Sequence, residues 1–178
     1  MSNVAIASDL APAERLEAAF QDIYVERMQG LPFINDALRV EAVGFRRWEG
    51  RWLGVLITPW FMNLVLLPDA PEQWRSLTQR ADTSYAFPAG VFDFIGGFEP
   101  AIGEFQSCSL FSPVFEFQQH EVARATAEAA LGALFDSGAR AGAEGPGTAP
   151  EEQAAAQRTT TPVSKRGFLR GHWRGDAT

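Results

Sequence analysis

Hydrophobic positions near the start of the chain recur at helical spacing. Leu16, Phe20, Ile23, Tyr24 and Met28 fall three or four residues apart, with Asp9 or Pro12 as openers and Gly30 and Pro32 as stops. The spacing predicts an amphipathic helix with one buried stripe. From Leu38 the period drops to two, with Leu38, Val40 and Ala42 on one side and Arg39, Glu41 and Val43 on the other, which predicts a strand. Trp48-Glu49-Gly50-Arg51 reads as a tight turn, so residues 38–58 form a hairpin and Phe61 to Leu67 adds a third strand. The uncharged run WLGVLITPWFMNLVLLP between Arg51 and Asp69 approaches the roughly 20 apolar residues of a membrane span. Thr58-Pro59 and Asn63 divide it into strand-length pieces, so it predicts two buried strands and no transmembrane segment.

Farther along, Pro71-Glu72-Gln73-Trp74 suits the start of a short helix reaching about Leu77. Val91 to Phe98 and Glu104 to Phe111 alternate as two more strands, with Gly96-Gly97 as a strand kink. Gln119 to Phe135 is an alanine-rich helix with Val122, Thr126, Ala129, Ala130, Ala133 and Leu134 on a narrow stripe, ended by Gly138. The expected fold class is therefore α+β over residues 12–137: a mostly antiparallel sheet covered by an N-terminal helix near 13–28 and a C-terminal helix near 119–136, behind a flexible N-terminus at 1–11. Residues 138–162 hold almost no large apolar side chain and predict a linker too poor in burial to order itself. With the basic and aromatic string that follows, 138–178 reads as a disordered linker and tail.

Charge sharpens that division. Residues 1–137 hold 9 Lys+Arg and 18 Asp+Glu, a net −9; residues 138–157 are net −2; residues 158–178 are net +4, for −7 over the chain. An acidic body argues against nucleic acid, whose affinity for proteins comes largely from Lys and Arg. One cysteine excludes a disulfide scaffold. Met1 to Asp9 has no positive n-region, and its apolar stretch is far shorter than the roughly 7–15 residues of a secretory signal, so a cytoplasmic protein is expected.

The same residues offer little chemistry. Cys108, His120 and His172 form no CxxC or HExxH spacing, so no metal or other cofactor is expected. Cys108 suits a small buried core residue, and His120, at a helix start, a solvated one. Neither a phosphate loop nor G-x-S-x-G occurs, and the acid pairs suit solvated faces. No enzyme is expected. Aromatic rings crowd the turns instead, among them Trp48, Trp52, Trp60, Phe61, Trp74, Phe87, Phe111, Phe115 and Phe117; Trp48 and Trp60 suit either a core or a protein interface.

Several strings carry a resemblance: RMQGLPFIN from Arg27 to Asn35, VEAVGFRRWEGRWLGVLITPWFMNLVLLP from Val40 to Pro68, FPAGVFDFIG from Phe87 to Gly96, and IGEFQSCSLFSPVFEF from Ile102 to Phe117. Over roughly Arg15 to Phe135 the chain resembles the HybE family of nickel-iron hydrogenase assembly chaperones, which includes the HupJ and HoxT types. The resemblance implies a non-catalytic cytosolic protein that helps mature an uptake hydrogenase, binding the iron-sulfur small-subunit precursor with its twin-arginine signal. The large subunit or a separate rubredoxin are the other partners it allows. Some relatives carry a rubredoxin with two CxxC pairs; none is present here, so any iron comes from a partner.

An acidic, aromatic-rimmed surface complements a peptide with two guanidinium groups and an apolar stretch. The candidate partner-binding residues are Glu41, Glu49 and Asp93 beside Trp48, Trp60, Phe61 and Phe94. The alternative function makes Cys108 a thiol carrier or protector of a metal-cluster intermediate. In the tail, Ser164-Lys165-Arg166-Gly167-Phe168-Leu169-Arg170 is similar to the twin-arginine string S-R-R-x-F-L-K, but lies at the wrong end to export the protein and lacks the apolar region that must follow.

Overall fold

The computed structural model describes residues 11–69 and 82–138. The expected helix at 71–77, the linker and the basic tail lie outside the described residues.

Helix α1 (Pro12–Ile23) starts with proline at its first position, and Glu14 accepts a hydrogen bond from the Ala11 N–H at 3.2 Å. A wider π-helical turn (Tyr24–Met28) continues it. Six antiparallel strands follow: β1 (Glu41–Trp48), β2 (Arg51–Ile57), β3 (Met62–Pro68), β4 (Asp82–Phe87), β5 (Gly90–Glu99) and β6 (Gly103–Phe111), in the order β1-β2-β3-β6-β5-β4. Helix α2 (His120–Leu134) closes the domain. The expected α+β class and its antiparallel sheet are what the molecule has. Strand β4 was not expected: Asp82 to Phe87 offers large rings only at Tyr85 and Phe87, too few to mark alternation.

The helices lie on opposite faces of the sheet. On one, Leu53, Val55 and Ile57 of β2 and Met62, Leu64 and Leu66 of β3 pack with Ala123, Ala127, Leu131 and Leu134 of α2. On the other, Leu56, Val65 and Leu67 pack with Leu16 and Phe20 of α1. Covered on both sides, β2 and β3 are continuous apolar runs, whereas alternation alone requires cover on only one. Past Phe105, whose ring meets Phe20 edge-on at 6.0 Å, the α1 side of the sheet opens. Ser84, Ala86, Asp93 and Ile95 are exposed there, and Ser84 Oγ donates to Asp93 at 2.6 Å.

Two expected faces are corrected. The strand begins at Glu41, and Leu38 and Val40, both buried, enter opposite cores. A bulge between Val43 and Arg46 then breaks the alternation. On α2 the buried row is Ala123, Ala127, Ala130, Leu131, Ala133 and Leu134, while Val122 and Ala129 face outward. So many alanines leave the helix little preference of its own, and the sheet selects the row that fits closest.

Gly44 sits at the bulge with φ +65°, and a Cβ there would lie 2.6 Å from Leu131 Cδ1. Gly44→Ala should therefore cost about 1–3 kcal/mol from backbone strain and overpacking, measured by chemical denaturation.

Candidate interaction surface

Three loops meet beside the β2–β3 turn, and Asn35 ties them together. Its backbone N–H donates to Pro59 O at 2.8 Å. Its side-chain Nδ2 donates to Val114 O at 2.9 Å and Phe117 O at 2.7 Å, and its Oδ1 accepts from the Ala37 N–H at 3.0 Å. One residue, through its backbone N–H and its side-chain amide, thus joins the loop after the π-helical turn, the β2–β3 turn and the loop between β6 and α2. An amide is suited to this, since it donates and accepts at once.

Each loop is locked from within. Thr58, fully buried, accepts at Oγ1 from the N–H groups of Phe61 (2.9 Å) and Trp60 (3.2 Å) and donates to Phe61 O (3.1 Å). Val114 and Phe117 anchor the third loop in the core, and Phe117 meets Phe111 edge-on at 5.1 Å. Between these anchors the chain turns Phe115 and Glu116 outward. The Ser112-Pro113 peptide bond in this loop is cis.

The locked loops present apolar side chains to solvent. Phe33 is 42% exposed, Leu31 38% and Phe115 55%. Trp60 is half-buried, stacked on Tyr24 with centroids 6.3 Å apart and edge-on to Phe61 at 5.6 Å. Asp36 and Glu116, on the same loops, are exposed, with no ion-pair partner among the described residues. Loops held by hydrogen bonds and carrying exposed rings and exposed carboxylates suit the docking of a basic, apolar segment.

The expected site residues are not brought into one patch. Trp60 and Phe61 border this cluster. Trp48 lies on the α2 side, stacked on Phe87 with centroids 4.4 Å apart. Phe94 is fully buried on the same side and touches no surface. Asp93 lies on the open half of the α1 side, and Glu49, with φ +47°, is half of the two-residue turn between β1 and β2. Glu41 is already engaged: its carboxylate meets His120 Nε2, Arg124 at 3.1 Å and Arg39 at 3.6 Å.

That carboxylate explains why His120 is buried rather than solvated. Its Nδ1 accepts from the Arg39 N–H at 3.3 Å, so Nε2 carries the proton and donates to Glu41. The group fastens α2 to the start of β1 across about eighty residues of chain.

Cys108 is buried at 1% exposure against α2. Among the described residues, no three His, Cys, Asp or Glu side chains converge in a group able to hold a metal. No helix among them is long and apolar enough to cross a membrane.

Leu31 and Phe33 belong to no periodic segment, so hydrophobic period gives them no role. Their available signal is the GLPFIN string itself, in which apolar residues flank a proline in a loop.

A family model described as NiFe-hydrogenase assembly, chaperone, HybE matches residues 11–171. The chain is 42% identical over 167 residues to the hydrogenase expression/formation protein HupJ of Bradyrhizobium diazoefficiens, covering 93% of this chain and 90% of that one. It is 40% identical over 131 residues to the probable rubredoxin HupJ of Rhodobacter capsulatus, covering 74% of this chain and 47% of the relative. The solution structure of HybE from Escherichia coli has a similar fold, with a TM-score of 0.58 at 22% identity, covering 84% of this chain and 91% of that one.

Proposed function

The chain belongs to the HybE family of nickel-iron hydrogenase assembly chaperones, and on that premise we propose that its three-loop cluster holds an immature hydrogenase subunit in the cytoplasm before export. The subunit is the iron-sulfur small subunit, recognised through its twin-arginine signal. The observation that carries this reading is the set of exposed side chains Leu31, Phe33 and Phe115 on loops fixed by Asn35. Fixed loops need not be ordered on binding, so less of the contact energy is lost to entropy. Asp36 and Glu116 offer carboxylates to guanidinium groups, which bind such oxygens in pairs. The rings take the apolar part of the signal, and Trp60 and Phe61 extend their area. The role is to hold and release, without a chemical step.

The alternative, with Cys108 carrying a metal intermediate, is disfavoured by burial of that side chain. The Rhodobacter capsulatus relative is named a rubredoxin, whereas this chain has one cysteine. A separate rubredoxin would therefore have to supply any iron.

Purification of the tagged chain from cells making the hydrogenase tests the proposal. The captured small subunit should have the mass of the uncleaved precursor. Recovery of mature small subunit or of large subunit alone contradicts it. A stoichiometric metal chromophore abolished by Cys108→Ser would favour the carrier instead.

A further inference from the structure

The sheet ends on two unlike edges. At one, β1 is guarded: a bulge breaks its register between Val43 and Arg46, and Arg46 and Arg47 follow in the strand. Bulges and long cations are how proteins keep an edge strand from pairing with another chain. At the other, β4 pairs with β5 in consecutive steps, from Asp82 with Ile95 to Phe87 with Gly90, without a bulge. Residues 82–87 include no Lys, Arg or Pro. Every second residue of β4 turns its N–H and C=O away from β5, and no strand among the described residues receives them. Those groups are a template for one more strand.

The register says what that strand must carry. On the α1 side of the sheet Ser84 pairs with Asp93, Ala86 with Val91 and Asp82 with Ile95, and an added antiparallel strand continues these three rows. The row of Ser84 and Asp93, both exposed, calls for a cation. Strands lie about 4.8 Å apart, so its Cα stands roughly 10 Å from that of Asp93, a span that a Lys or Arg closes over the small serine. Asp93 has no ion-pair partner among the described residues. The row of Asp82 and Ile95 calls for a second cation, opposite Asp82, with its aliphatic stem toward Ile95, which is 53% exposed. The row of Ala86 and Val91 takes an apolar residue. Along the antiparallel strand the pattern is apolar-x-cation-x-cation.

We propose that β4 takes up, as a seventh strand, an extended segment of another protein with this pattern. Segments of this chain do not fit, because among its 15 Lys and Arg no two are two residues apart. The same count sets aside a second copy pairing through its own β4, where residues 82–87 hold no cation. Adjacent arginines do not fit either, since neighbouring residues of a strand point to opposite faces. The acidic body, net −9 over residues 1–137, favours the approach of such a segment.

The proposal does not rest on the loop cluster, and its test contains no hydrogenase. The isotope-labelled full chain is titrated with the end-capped peptide Thr-Val-Thr-Arg-Thr-Arg-Thr and followed by NMR. Shift changes should centre on residues 82–87 and 93–95. They should saturate with a dissociation constant of about 0.1–1 mM, weak because a short free peptide must be ordered on binding. Thr-Thr-Val-Arg-Arg-Thr-Thr has the same composition but turns one arginine to the other face, and should bind about fivefold more weakly, the worth of one exposed ion pair. Asp93→Asn should weaken the spaced peptide by a similar factor. Ser84→Lys, which sets a cation beside Asp93 within the chain, should weaken it by about tenfold or more, with an unchanged denaturation midpoint showing the fold intact. Equal affinity for the two arginine arrangements overturns the proposal, as does an absence of shifts at millimolar peptide. Shift changes that map to Leu31, Phe33 and Phe115 instead of β4 overturn it too. So would outward β4 amides that exchange slowly before any peptide is added, because the edge would then be covered already.

Discussion

Replacing Phe94 with alanine should lower folding stability by about 3–5 kcal/mol, the cost of emptying an aromatic site in a close-packed core. The ring is fully buried, edge-on to Tyr85 at 5.5 Å and tilted against Phe87 at 6.3 Å. Phe87 in turn stacks on Trp48, so the void would open in the middle of an aromatic group and not at its rim. Asp93→Ala, one residue away on the opposite face, should change stability by no more than about 0.5 kcal/mol beyond the Ser84 hydrogen bond it removes. Denaturation midpoints of the two variants, with unchanged denaturant slopes, give the comparison. A Phe94→Ala protein that melts normally but fails to capture a client would return that ring to the surface.

The pair Asp93 and Phe94 shows how far alternation carries. The period of two separates their faces correctly, but it does not say which face is covered. In β5 the covered face is the one turned to the core that α2 closes over β1 and β2, and α2 is fixed by contacts the sequence does not announce, His120 to Glu41 and Arg39 among them. Helix α1 was legible because its apolar residues are large and its polar face is charged. The inward row of α2 was not, because alanine recurs on several faces at once. Trp48 and Trp60 look alike as tryptophans in turns, yet the first stacks on Phe87 in one core and the second on Tyr24 beside the other. Ring partners that lie about 130 Å apart along an extended chain decide such cases.

The site was legible in kind more than in position. An acidic body rich in rings suits a binding role, and the family strings hold the loop prolines near which the proposed surface lies. That Asn35 would join three of those loops depends on donors and acceptors about eighty residues apart, invisible to any local pattern.

Phe33→Ser combined with Phe115→Ser should weaken capture of the small-subunit precursor by two orders of magnitude or more while leaving the melting temperature nearly unchanged. Truncating an interface anchor costs about 2 kcal/mol when it is a hot spot, a factor of about 30 for each ring. The rings lie on different loops, so their losses should be near additive unless both grip the same client side chain. Because 42% of Phe33 and 55% of Phe115 already face solvent, little core packing is lost on folding. Asn35→Ala is the informative contrast. It leaves the Phe117 carbonyl without its Asn35 donor, costing about 1–3 kcal/mol if water cannot replace it, leaves the Val114 carbonyl only the Phe117 N–H at 3.3 Å, and frees the loops that hold both rings. That variant should lose stability and capture together, whereas the double serine variant loses capture alone. Normal capture by the double variant would remove the loop cluster from client binding, leaving the family role to some other surface of the chain.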